Sequence, residues 1–313
     1  MHKTRQLMVF SLWLVLAGCA HQSMHHDDRS TPSLERLAYE SQLDGREREF
    51  FVYLPPGYAD EPERDWPVML FLHGNGERGN GRDELGFVLS HGPIYEAWVQ
   101  KRDRPFIIIS PQLPMFGMDE HADYLRDRDP EQMASRLESG TPPRPEPFDT
   151  PQPMTGVPAT ESMKDQSAVL PGGWDRIEDD LIMMLDRVER EYRTDPQRQY
   201  LTGLSYGGFG TWYLASHHPE RFAAIAPVVG WGHPKLMAPI ADNQLPLWAF
   251  AAGRDPVVKI EDFYPGLNRL EALGHNDVRF TNHEGMGHDA WTRVYQSDDF
   301  YQWLLEHERA EGK

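Results

Sequence analysis

Cysteine is almost absent from this chain of 313 residues; the only one is Cys19. A single thiol can form neither an internal disulfide nor a thiolate metal cage. Positive charge is scarce too: 31 Lys and Arg stand against 49 Asp and Glu, a net charge of −18. Such a chain repels phosphate backbones, which argues against nucleic acid as a partner. No internal repeat recurs at a fixed period, so a solenoid or propeller is not expected. What is present is apolar and aromatic residues, 39% and 11% of the chain. That suffices for a substantial core and excludes global disorder. The length suits one large domain or two small ones.

The N-terminus opens with Lys3 and Arg5, followed by an apolar run over 7–16 with one serine. That run is too short to span a bilayer as a mature helix. It leads into Leu16-Ala17-Gly18-Cys19, which resembles the lipobox of bacterial lipoproteins. The resemblance implies a signal peptide over 1–18, a lipid on Cys19 as membrane anchor, and residence in the cell envelope. Ala20 follows the cysteine where aspartate would retain a lipoprotein at the inner membrane, so outer-membrane sorting is expected, facing periplasm or exterior. The alternative is an ordinary signal peptide with a chance cysteine. Residues 19–33 are polar and aperiodic, as in a tether. His25, His26, Asp27 and Asp28 within it are adjacent on a flexible chain and lack the fixed geometry a metal needs.

Residues 34–310 are expected to form the folded domain. A β-hairpin is predicted around Leu43-Asp44-Gly45-Arg46, ended by Pro55-Pro56-Gly57. Continuous apolar runs at 68–72 and 106–110 suit strands buried on both faces. One helix or two short ones are predicted within 83–100. Ile177, Leu181, Met184, Leu185 and Val188 recur at helical spacing, which predicts an amphipathic helix. Strands and helices then alternate: a strand to Leu204, a helix over 208–217, strands in "FAAIAPVVG" and "LPLWAFAAG", a helix over 261–273, a strand in "DVRFTNHEG" and a helix over 291–307. This order predicts an α/β fold, a mostly parallel central sheet with helices on both faces. Residues 113–173 interrupt it after the strand at 106–110. They are rich in proline and charge, with one helix possible over 120–138. A loop of this length is either disordered or functional, as a lid or pocket wall.

Three motifs fall at strand ends, where an α/β sheet places its chemistry. "GLSYG" (203–207) matches G-x-S-x-G between a strand and a helix, which makes Ser205 a candidate nucleophile. The alternative is a glycine-rich turn that happens to hold a serine. "LHGNGERG" (72–79) follows a buried strand. Its sparse side chains would let backbone N–H groups converge on a developing oxyanion. Asn75 is the first candidate donor, Gly76 the alternative, and the N–H of Tyr206 the second donor. A connecting β-turn is the plain alternative. "GRDPVV" puts Asp255 at a strand exit, as an imidazole partner or a turn aspartate. "EGMGHDAW" puts His288 in a loop before the last helix. Its task would be to take the Ser205 proton while Asp255 fixes the tautomer. His283 is the serious rival; His275, His217 and His218 also compete. The order Ser205, Asp255, His288 is that of the α/β-hydrolase triad. "HEGMGH" does not fit H-E-x-x-H zinc spacing.

Together "PVMLFLHGNGERG", "IIISPQLP", "RQYLTGLSYGGFGTWYLASHHPERFAAIAPVVG", "AAGRDPVV" and "GMGHDAWTRVY" resemble the α/β-hydrolase superfamily. More narrowly, they resemble secreted bacterial carboxylesterases and feruloyl-esterase-like proteins, often labelled predicted peptidases of the prolyl oligopeptidase class. The resemblance implies Ser205 as nucleophile, Asp255 as acid, His288 as base, and Asn75 and Tyr206 as oxyanion donors. Glu77 and Arg78 would order the loop. It implies hydrolysis of small-molecule or polysaccharide-linked carboxylic esters, with no metal or organic cofactor. A peptidase of the same fold and a non-catalytic binding lipoprotein are the other classes. The insert departs from the family pattern. Trp174, at its junction, is a candidate for the pocket or for the core.

Overall fold

The computed structural model describes residues 29–138, 152–153, 163 and 165–309. The proposed signal peptide and Cys19 lie outside the described residues.

Among the described residues nine strands form one sheet: β1 (Ser33–Glu40), β2 (Glu47–Leu54), β3 (Trp66–Leu72), β4 (Ile107–Ser110), β5 (Gln152–Pro153), β6 (Thr194–Leu204), β7 (Ala224–Val228), β8 (Leu247–Ala252) and β9 (Val278–His283). Their spatial order is β1-β2-β4-β3-β6-β7-β8-β9-β5. The pairs from β4 through β9 are parallel; β1 with β2, β2 with β4, and β5 with β9 are antiparallel. The hairpin thus closes one edge as predicted, while the two-residue β5, from the insert, sits at the other.

Among the described residues the α-helices of six or more residues are α1 (Glu178–Glu191), α2 (Tyr206–His217), α3 (Met237–Asp242), α4 (Tyr264–Ala272), α5 (Trp291–Gln296) and α6 (Asp298–Leu305). They cover both faces. Along β3, Val68, Leu70 and Leu72 pack with Leu181, Leu185 and Val188 of α1. Met69 and Phe71 face the opposite core, with Val294 of α5 and Phe300 of α6. Alternate residues of one strand enter two cores, so the run carries no polar alternation. The predicted stripe of α1 is buried in full. Buried Asp180 on its first turn accepts from Ser41 Oγ (2.5 Å) and the Gln42 N–H (2.6 Å). This fastens the hairpin turn to the helix.

Three elements differ from the sequence expectation. The helix possible over 120–138 is only Asp123–Arg126, flanked by 3-10 turns at Met118–Glu120 and Pro130–Gln132. Pro130 disfavours a helical residue before it, and Asp129 is extended at φ −99°, ψ 116°. The last helix is two, split at extended Ser297. Arg104 takes the exposed end by bonding the Gln296 carbonyl (3.4 Å) and Asp298. Finally, α3 was not predicted at all. Parallel neighbours β7 and β8 require a crossover, but Pro234 and Pro239 hide the helical pattern there. Where one helix or two short ones were expected within 83–100, there is a 3-10 segment, Leu85–Ser90, and a helical stretch over Gly92–Val99.

Candidate active site

The end of β6 runs straight into α2 through Ser205. Its backbone has φ 51° and ψ −116°, a conformation L-residues rarely adopt. The Ser205 N–H bonds the Val228 carbonyl (2.9 Å), which ties the turn to β7. Two glycines make the turn possible. A Cβ on Gly203 would lie 2.3 Å from the Gly207 carbonyl oxygen, and one on Gly207 1.8 Å from the Leu72 oxygen. Strand, turn and helix approach too closely for any side chain there.

His288 lies in the loop after β9 and Asp255 in the loop after β8. His288 Nε2 stands 2.9 Å from Ser205 Oγ, and His288 Nδ1 2.7 Å from Asp255 Oδ2. The Asp255 side chain is inaccessible and that of His288 is 22% exposed. The other Asp255 oxygen accepts the N–H groups of Val257 (2.8 Å) and Val258 (2.9 Å). A carboxylate so held can only accept at Nδ1, so the imidazole proton sits there. The Nε2 lone pair then faces the serine hydroxyl. Trp291 packs edge-on against the His288 ring at 5.2 Å. Of the rival histidines, His283 is buried at the end of β9, stacked on Phe250. His275 bonds the Leu245 carbonyl, His217 the Tyr213 carbonyl and His218 the Glu178 carboxylate. Among the described residues no cluster of three or more His, Cys, Asp or Glu could hold a metal.

The turn after β3 lies beside this series. Asn75, Gly76 and Tyr206 are all partly exposed. Tyr206 is the first residue of α2, so its N–H has no carbonyl partner within the helix. His73, overlooked in the sequence, orients the turn. Its Nε2 accepts the Leu113 N–H (2.9 Å), so Nδ1 carries the proton and donates to the Gly74 carbonyl (2.6 Å). Across a trans peptide the Asn75 N–H must then point the opposite way. Burial depresses the His73 imidazole to about 3, so it stays neutral and keeps this tautomer. The signal available was the histidine directly after a buried strand. Trp174 is 2% exposed, edge-on to His73 at 4.9 Å and against Gly210; it belongs to the core rather than to a pocket wall.

Glu77 and Arg78 are both buried. Arg78 donates to the Asn75 side-chain oxygen, the Pro114 carbonyl (2.8 Å) and the Gly172 carbonyl (2.8 Å), and its guanidinium lies 4.7 Å from the centre of the Tyr206 ring. Glu77 sits between His73 (3.8 Å) and His91 (3.6 Å). Burial raises its carboxyl from 4.5 to about 7, with the nearby backbone N–H groups of Glu77 and Gly74 opposing the rise. A carboxyl whose folded value lies above its unfolded value binds its proton more tightly when folded. Its contribution to stability is therefore full below about pH 4.5 and lost as pH rises through about 7. Glu77→Gln is expected to shrink the stability lost between about pH 5 and about pH 8, by on the order of 3 kcal/mol in urea unfolding. His73 contributes an opposite slope to both proteins and cancels in the comparison. An unchanged slope in Glu77→Gln would rule out Glu77 as its source.

The prolyl oligopeptidase family matches residues 175–249, a stretch that holds Ser205 but neither Asp255 nor His288. Poly(3-hydroxyalkanoate) depolymerase C of Paucimonas lemoignei is 43% identical over 47 residues, 15% of this chain and 11% of that protein. Dipeptidyl-peptidase 5 of Porphyromonas gingivalis is 39% identical over 51 residues, 16% of this chain and 8% of that protein. The chain thus matches these relatives over about a tenth of their length. Similar solved structures include a thermostable esterase with 24% identity and a TM-score of 0.57, covering 88% of this chain and 63% of that one. An S-formylglutathione hydrolase of Staphylococcus aureus has 12% identity and a TM-score of 0.53, covering 88% and 97%. A ferulic acid esterase of Anaeromyces mucronatus, solved with ferulic acid, has 17% identity and a TM-score of 0.52, covering 90% and 92%. Sheet order, the turn at Ser205 and these likenesses agree on one architecture: the chain has the α/β-hydrolase fold.

Proposed function

We propose that the protein is a serine hydrolase that cleaves carboxylic esters through an acyl-enzyme intermediate. The observation that carries this is the hydrogen-bonded series from Ser205 through His288 to Asp255. Ser205 Oγ attacks the acyl carbonyl carbon as His288 Nε2 takes its proton, and Asp255 balances the imidazolium. The carbonyl oxygen becomes an anion held by the N–H groups of Asn75 and Tyr206. His288 then gives the proton to the departing alcohol, leaving the acyl group on Ser205. Water, deprotonated by the same imidazole, attacks the ester and releases the acid and free Ser205. No step needs a metal or organic cofactor. The substrate class is a small-molecule or polysaccharide-linked ester, in keeping with the esterases that share the fold. The experiment is treatment with a fluorophosphonate probe beside Ser205→Ala, followed by acetyl and feruloyl ester panels. Absence of labelling and of turnover would leave a binding protein built on a hydrolase fold. A peptidase is the second reading, favoured by the prolyl oligopeptidase match over 175–249. Hydrolysis of dipeptidyl amides faster than esters would select it.

We place the domain at the cell envelope, tethered by a lipid on Cys19, on the strength of Leu16-Ala17-Gly18-Cys19. Labelled palmitate fed to expressing cells is expected to enter the wild type and not Cys19→Ser. Equal incorporation would refute the anchor.

A further inference from the structure

The insert reaches back to the turn after β3. Its Arg128 places Nη1 3.0 Å from the Gly76 carbonyl and 2.5 Å from the Arg78 carbonyl, so one nitrogen bridges two peptides of that turn. The guanidinium is itself immobilised. Nη2 pairs with Glu84 (3.0 Å), Nε bonds the Leu125 carbonyl (3.0 Å), and the plane lies 4.2 Å from the centre of the Phe87 ring. The side chain is only 11% exposed. A second insert residue, Tyr124, accepts from Asn75 Nδ2 (2.5 Å). Arg78 answers from the turn by bonding Pro114 and Gly172, at the two ends of the insert.

These bonds fix peptide orientation. The carbonyls of Gly74, Gly76 and Arg78 are all held, the first by His73 and the others by Arg128. In trans peptides the N–H groups of Asn75, Glu77 and Gly79 must point the other way; that of Gly79 meets the Leu113 carbonyl (3.1 Å). Gly76 is the weak point. A Cβ there would meet nothing within 4 Å, and glycine tolerates either peptide orientation. Arg128 is what holds its carbonyl.

We propose that Arg128 is a positioning residue for the oxyanion-binding turn, so that the insert is part of the apparatus that preorganises this site. The inference rests on the serine-hydrolase reading above. Without Arg128 the peptide joining Gly76 to Glu77 can flip, and the turn that carries the Asn75 N–H loses its fixed shape beside the point where charge develops. That loss falls on the transition state and leaves ground-state binding nearly intact.

The test is steady-state kinetics of Arg128→Ala and Arg128→Lys on 4-nitrophenyl acetate, with circular dichroism to verify folding. Folded Arg128→Ala is expected to lose kcat about tenfold or more with KM within about threefold. Added guanidinium, at millimolar levels too low to denature, should restore part of kcat, which a merely structural defect would not allow. Arg126→Ala, whose partners Asp123 and Asp127 lie within the insert, should keep wild-type kcat. Wild-type kcat in folded Arg128→Ala, or a loss carried wholly by KM, overturns the proposal. If Arg128→Ala does not fold, Arg128→Lys decides. It keeps the charge and cannot hold both carbonyls and Glu84, so wild-type kcat there also overturns it. Should Ser205→Ala match the wild type, the serine-hydrolase reading fails instead, an outcome separable from the first.

Discussion

Ser205→Ala is expected to abolish fluorophosphonate labelling and lower ester kcat by on the order of 10⁵–10⁶-fold, the loss seen when a triad nucleophile is removed. Fold and stability should survive. The Oγ bonds only the His288 ring among the described residues, whereas the turn is held by the Ser205 N–H bond to Val228 and by close backbone packing. A thermal melt close to wild type would show that the loss is chemical. Turnover that persists in the folded variant would reject Ser205 as nucleophile and send attention to water or another hydroxyl.

Asp255→Asn is expected to cost on the order of 10⁴-fold in kcat with little change in structure. The direction follows from the partners of the carboxylate. The N–H groups of Val257 and Val258 both point at Oδ1 and require an acceptor there. An asparagine satisfies them only by keeping its oxygen on that side, which turns its NH₂ toward His288 Nδ1. A ring nitrogen facing a donor must present its lone pair, so the proton moves to Nε2. The imidazole then points an N–H at Ser205 and cannot accept the serine proton. The rate should recover partly as pH rises and hydroxide competes as base, measured by the pH dependence of kcat. Wild-type turnover in folded Asp255→Asn would remove Asp255 from the mechanism.

If Arg128 acts as proposed, the insert answers a problem posed by the glycines of the turn. Gly74 and Gly76 allow the backbone to expose its N–H groups, but the same freedom allows it to turn away. A turn that binds an oxyanion needs orientation without bulk. Guanidinium and imidazole groups bonding the carbonyls from behind supply orientation and leave the N–H side open.

Much of the fold was legible because its signals are local. Strands buried on both faces need continuous apolar runs. Helix α1 needs its stripe, and a strand that turns at once into a helix needs glycine at 203 and 207. The break at Ser297, the crossover helix α3 and the short helix Asp123–Arg126 were not legible. Each depends on a distant partner or on a requirement of topology that prolines and charges obscure in the local pattern. The preference for His288 over His283 rested on the resemblance carried by "GMGHDAWTRVY", since chain order alone allows either and both stand near a strand end. The register of β8 with β9 decides it. Ala252 pairs with His283, so His283 is committed to the sheet and its side chain to the core beside Phe250. The loop beyond then returns far enough to carry His288 between Asp255 and Ser205. The sequence by itself determined where backbone crowding forbids side chains and where apolar runs must be buried, because sterics and desolvation act within a few residues. Only the tertiary structure showed the imidazole meeting the serine and decided which arginine of the insert grips the turn, because hydrogen bonds between distant segments exist only after the sheet has set their distances.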